Sequence, residues 1–109
     1  MSDATSDVID RYFDADERQD VEGIVGLFTD DAEVVDEAQT WRGTEGVRAW
    51  RKGPASKYQY RTTIFETKQL GPVDFVLKGR LEGNFPGGTA DLTWRFTLAG
   101  DRIRTLRIE

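Results

Sequence analysis

The stretch Leu27–Gly43, LFTDDAEVVDEAQTWRG, decides how the chain is read. Leu27 and Phe28 complete an apolar helical pattern, Thr29-Asp30-Asp31 reads as a turn, and residues 32–38 read as a strand. Trp41-Arg42-Gly43 then leads into another helix. Side chains along a strand alternate in direction. Val34 and Asp36 therefore share one face, and Val35 and Glu37 share the other. With Val34 turned to the core, Asp36 looks the same way. A carboxylate aimed at an apolar interior is costly unless it has partners or a task. Asp36 is thus the candidate general base, weighed against the plainer reading of a strand-end carboxylate in water. Glu37 is assigned to the surface.

Upstream, Val8, Ile9, Tyr12 and Phe13 form one stripe of a helix over residues 4–18. Asp20 is placed as the N-cap of a second helix, whose stripe is Val21, Ile24, Val25 and Phe28. Gly23 and Gly26 weaken that helix, so it depends on packing. Downstream, Thr44 is placed as the N-cap of a third helix, with Val47 and Trp50 on its buried side and Gly53-Pro54 at its end. Strands follow over residues 58–70, 73–85, 89–99 and 102–109. The clearest has Leu92, Trp94, Phe96 and Leu98 inward, with Asp91, Thr93, Arg95 and Thr97 outward. Gly100-Asp101 is a hairpin signal. Ile103 breaks the parity of the last strand, which predicts a bulge near its start. Helices first and antiparallel strands last argue an α+β fold, one domain over residues 1–109, with helices on one side of a curved antiparallel sheet.

Composition narrows the chemistry. The 109 residues include no cysteine and no histidine, and serine occurs only at Ser2, Ser6 and Ser56. Thiol chemistry, thiolate metal sites, histidine bases and a Ser-His-Asp hydrolase are excluded. Carboxylates, tyrosine, lysine and arginine remain, and neither metal nor cofactor is expected. Residues 1–40 hold 13 acidic and 2 basic side chains, net −11, while residues 41–109 hold 7 and 13, net +6. An acidic helical layer over a basic-faced sheet is the plain reading of that split. No basic cluster with interleaved aromatics points to nucleic acid. No apolar run reaches the roughly 18 residues of a membrane span. The acidic start, MSDATSDVID, lacks the basic and apolar regions of a signal peptide, so a cytoplasmic location is expected.

The segments RYFDADERQDVEGIVGLFTDDAEVVD, WRGTEGVRAW and WRFTLAGDRIRTLRI carry a resemblance that spans nearly the whole chain. The chain resembles the NTF2-like superfamily, in its SnoaL-like polyketide cyclase and ketosteroid isomerase branch. The resemblance implies a cone, three N-terminal helices packed on a curved antiparallel sheet, with an apolar pocket at the wide end. It implies a homodimer through the sheet. It places Tyr12 where the isomerases hold their oxyanion-donating tyrosine, and Asp36 where they hold the proton-shuttling aspartate. Leu92 stands where they hold a protonated oxyanion aspartate; Phe28 and Arg51 stand where some hold buttressing tyrosines. The implied pocket is lined by Trp41, Trp50, Leu92, Trp94, Leu106 and Ile108, residues that also read as plain core. Tyr58 and Tyr60 fall near its rim, with their facing open. Arg80 and Arg95 read as outer-face residues.

Three functions are compatible with these residues. One is a cofactor-independent isomerase or lyase (cyclase) moving a proton on a small apolar carbonyl compound, steroid-like or polyketide-like. Another is a module that binds such a ligand without turnover. The third is a dimerisation domain. Fold alone does not choose among them.

Overall fold

The computed structural model describes residues 4–53 and 58–109. Helix α1, Ala4–Arg18, buries Val8, Ile9, Tyr12 and Ala15. Its stripe does not stop there: Asp16, one turn beyond Tyr12, is also buried. Helix α2, Val21–Val25, is a five-residue helix, too short to persist on hydrogen bonds alone. Two things hold it. The Asp20 carboxylate accepts from the Gly23 amide at 3.0 Å, as an N-cap should. Ile24 and Val25 are buried, each contributing about 1.5–3 kcal/mol. Gly23 is part of the cap, because a Cβ there would meet the Asp20 carboxylate at 2.3 Å.

The turn expected at Thr29–Asp31 is not a separate element. Strand β1 runs from Phe28 to Asp36. Its register against the last strand jumps between Phe28 and Glu33, so the acidic residues form an irregularity inside the strand. The Thr29 hydroxyl donates to Asp31 across it at 2.8 Å. Strand β2, Gln39–Arg42, pairs back on β1 with Asp36 opposite Gln39. The two residues between them, Glu37 and Ala38, have φ of 52° and 63°. That is the doubly left-handed loop of a tight hairpin, usually built from Asn and Gly. Glu-Ala gives no such signal, and the hairpin was invisible in the sequence for that reason.

Helix α3, Gly43–Lys52, follows β2, so the three helices are not all N-terminal to the sheet. Its N-cap is Arg42, without a side-chain capping bond, and not Thr44. Gly53 ends it; Pro54 lies outside the described residues. Strands β3 (Tyr60–Gln69), β4 (Asp74–Gly83), β5 (Thr89–Ala99) and β6 (Arg102–Ile108) form the expected antiparallel run. The parity break at Ile103 is real: Thr97 faces Thr105 while Leu98 faces Ile103. The sheet order is β2-β1-β6-β5-β4-β3, open at both edges and curved, with β1 parallel to β6. This is an α+β fold, as the order of elements predicts. No described helix is long and apolar enough to cross a membrane.

The core fills the space between sheet and helices, with Trp50, Tyr12, Phe96, Ile24, Ile103 and Leu106 almost wholly buried. Tyr12 meets Phe13, Phe28 and Phe96 edge-on at 5.2–6.2 Å. Lys78, Arg80, Asp91 and Arg95 are exposed on the opposite face of the strands. Strand β3 gains a residue between Ile64 and Glu66 opposite Gly79 and Lys78. Gly79 allows this close approach: a Cβ there would sit 2.4 Å from the Thr63 carbonyl oxygen. Gly79→Ala should therefore destabilise the protein by roughly 1–3 kcal/mol in urea unfolding, despite the better strand propensity of alanine.

Candidate functional site

Inside the curve lies a half-enclosed cavity of about 320 Å³. Tyr12 and Asp16 from α1, Asp36 from the end of β1, and Trp50 and Arg51 from α3 all reach it. Strand β3 contributes Tyr60, β4 Leu81, β5 Leu92 and Trp94, and β6 Ile108. Tyr58, Phe85 and Pro86 line it from the loops. The walls are mostly apolar and aromatic with a few convergent polar groups, the usual make-up of a ligand site.

Asp36 does share the inner side of β1 with Val34: Val34 is fully buried, and Asp36 is half-buried at the cavity wall. Its Oδ2 accepts from the Trp50 indole N–H at 3.0 Å. The bond fixes one carboxylate oxygen and leaves the other with a separate direction. Tyr12 lines the same cavity, 1% exposed. Burial, then the Asp16 carboxylate, push the Tyr12 phenol well above its ordinary pKa; Arg51 pulls it down, and Tyr60 and Asp36 add smaller pushes. Tyr12 is therefore a firm proton holder, suited to donate a hydrogen bond and not to act as a base.

The remaining sequence candidates divide. Trp50, Leu92, Trp94 and Ile108 line the cavity. Trp41 and Leu106 do not. Trp41 pairs with Val34 across the β1–β2 hairpin and packs against the core, and Leu106 is 1% exposed inside it. Both have the apolar character of pocket residues, and only three-dimensional placement separates the two kinds. Glu37, assigned to the surface by strand parity, is exposed there and also borders the cavity at its rim. The left-handed turn ends the alternation at Asp36 and swings the next side chain round. Tyr58 and Tyr60, whose facing was open, both line the cavity.

Sequence reasoning missed the polar cluster at the cavity's inner end. Arg51 Nη1 lies 2.8 Å from Asp16 Oδ1, with side chains 2% and 6% exposed. The Tyr60 hydroxyl donates to the same oxygen at 2.7 Å. The Arg51 guanidinium also lies over the Trp50 ring, 5.0 Å from its centroid, and its Nε is buried without an acceptor. Desolvation works against the Arg51 charge, but Tyr12, Asp16 and Tyr60 outweigh it and hold its pKa above the ordinary value. Burial and then Asp16 raise Tyr60, against Arg51. A signal for the cluster existed. Asp16 falls four residues after Tyr12 and Arg51 four after Val47, so both continue an apolar stripe. Among the described residues, no group of acidic side chains is arranged to hold a metal ion.

The SnoaL-like domain, as a family, matches residues 9–106. The chain belongs to that family. With its fold, this makes it a SnoaL-like member of the NTF2-like superfamily. A candidate polyketide cyclase from Sinorhizobium meliloti is 29% identical, with 94% of each chain covered and a TM-score of 0.87. The Δ5-3-ketosteroid isomerase of a Mycobacterium species is 19% identical over 99% of this chain and 93% of its own, with a TM-score of 0.82. A Mycobacterium tuberculosis protein solved with estradiol-17β-hemisuccinate is 16% identical over 98% and 93%, also with a TM-score of 0.82. The last two likenesses are of fold alone. No curated protein matches this SnoaL-like chain in sequence.

Two predictions follow from the buried cluster. Arg51→Met strands the Asp16 charge, so it should cost about 3–5 kcal/mol in chemical unfolding, and adding Asp16→Asn should restore most of that. The raised tyrosines set a pH dependence. Folded Tyr12 and Tyr60 keep protons that the unfolded chain loses near pH 10, so their contribution is intact below about pH 10 and falls as pH rises further. Ultraviolet titration of the native protein should fall short of the phenolate signal of all three tyrosines until it unfolds. Tyr12→Phe with Tyr60→Phe should flatten the alkaline loss of thermal stability.

Proposed function

We propose that this SnoaL-like protein binds a small, mostly apolar carbonyl compound, steroid-like or polyketide-like in class, and moves a proton on it without a cofactor. One observation carries the reading: a carboxylate oriented by an indole N–H and a proton-retaining phenol both line a single apolar cavity. The ligands and activities of the fold relatives agree with this choice of compound class.

In this reading, Asp36 removes a proton from the carbon next to the carbonyl. The electron pair moves onto the carbonyl oxygen, where the Tyr12 hydroxyl donates a hydrogen bond to the developing enolate. Asp36 then returns the proton to the same carbon or to another along the conjugated system. Return to a different carbon is isomerisation. The Trp50 bond keeps the carboxylate from rotating away between the two steps. Trp94, Leu92 and Ile108 supply the apolar wall that excludes water and holds the ring system.

A second reading, binding without turnover, is favoured by Leu92. It puts an aliphatic wall where the resemblance places an acid in the isomerases, so the enolate has one fewer donor. Deuterium exchange into an enolisable ring ketone, followed by proton NMR, separates the two readings. Exchange above the buffer rate is expected, reduced about 100-fold or more in Asp36→Asn. Ketone binding seen by tryptophan quenching, with exchange at the buffer rate, would establish the binder instead.

A further inference from the structure

The charge of the pocket is not that of a site for neutral compounds alone. Its described walls carry three carboxylates, Asp16, Asp36 and Glu37, against one guanidinium, Arg51. Arg51 is engaged by Asp16 at 2.8 Å, so that pair cancels within the wall. Asp36 and Glu37 remain as adjacent acids, and no lysine is among the described lining residues. The donor to Asp36 is a neutral indole N–H, which orients its carboxylate without cancelling the charge. Glu37 is held at the rim by the left-handed turn, with φ of 52°.

The other groups around these acids are ring faces. Tyr58, Tyr60, Phe85 and Trp94 line the same cavity, and Tyr58 meets Phe85 edge-on at 6.0 Å. An aromatic face carries partial negative charge. Rings beside carboxylates in a half-enclosed, mostly apolar space suit an organic cation, whose alkyl groups pack on the rings while its charge meets both. An anion would face walls of net charge −2, counting the three acids and one base. A hydrated metal ion lacks its ligands here, since no acidic group of the required kind exists among the described residues.

We propose that the pocket selects a substituted alkylammonium compound, an apolar ring or chain bearing a tertiary or quaternary amine, with Asp36 and Glu37 receiving the charge. The inference rests on the pocket reading above and narrows its ligand class. A cation seated there takes Asp36 as counter-ion and not as base, so the inference accords with the reading of binding without turnover.

The test compares two compounds of the same shape, phenyltrimethylammonium and tert-butylbenzene, by quenching of tryptophan fluorescence. The cation should bind roughly tenfold tighter. Asp36→Asn with Glu37→Gln should remove most of that preference, with an unchanged circular dichroism spectrum as the check on folding. If the double variant does not fold, Glu37→Gln alone, on an exposed turn, should lower the preference in part. Equal or tighter binding of tert-butylbenzene by the unaltered protein would overturn the inference and leave the apolar pocket standing. Failure of both compounds to bind would overturn the pocket reading and the inference together. A cation preference that survives both substitutions would overturn the assignment to these carboxylates.

Discussion

The buried ion pair between Arg51 and Asp16 is the contact that α1, α3 and β3 have in common, because the Tyr60 hydroxyl closes on the same carboxylate oxygen. Removing two charges from water costs several kcal/mol for each, and attraction at 2.8 Å offsets this only when the remaining hydrogen-bonding capacity is also used. Here a phenol and an indole face supply much of that. The buried Nε without an acceptor shows that the compensation is incomplete. Replacing the pair by apolar side chains of similar volume would pack the fold at least as well. Its value lies in direction: it sets one helix against another in a single arrangement, and the cavity between them keeps its shape.

Trp50 and Arg51 are consecutive on α3, yet they reach opposite polar features of the cavity. Trp50 holds the Asp36 carboxylate on β1, and Arg51 holds Asp16 on α1. One helical turn thus positions both ends of the site. The stacking of guanidinium on indole ties the two together, so a shift of α3 would move the Asp36 contact and the cluster as a unit. Rigid elements carry these groups, while Glu37, Tyr58 and Phe85 at the mouth come from turns and loops. Such a division keeps the inner geometry fixed and lets the entrance vary.

Much of this was legible in the sequence. The alternation from Thr89 to Ala99 gave β5 its bounds, and the parity break at Ile103 gave its bulge, because period-two patterning registers both directly. The sharing of a face by Val34 and Asp36 followed from the same rule. The alternation stops one residue later, at Glu37, where a left-handed backbone without glycine or asparagine ends the strand and leaves that side chain exposed. The parallel pairing of β1 with β6 was also hidden, since no local pattern records a partner so distant in sequence. Asp16 was passed over, and Arg51 was placed only by resemblance, because charged residues on an apolar stripe are most often placed in water. Trp41 and Leu106 were overextended as pocket residues, since packing and lining demand the same side chains.

The parallel seam between β1 and β6 has a consequence for how the molecule assembles. Val34 gains its neighbour Leu106 only when two segments far apart in sequence meet. Until then the β1–β2 hairpin has one unpaired edge, and β5 has another where β6 belongs. Closing so long a loop is entropically slow, and it comes late relative to the local β3–β4 and β4–β5 hairpins. The carboxylate at the tip of β1 therefore reaches its cavity only in the last stage of assembly. A chain opened only at this seam would keep its β3–β4 and β4–β5 hairpins while its acid left the cavity.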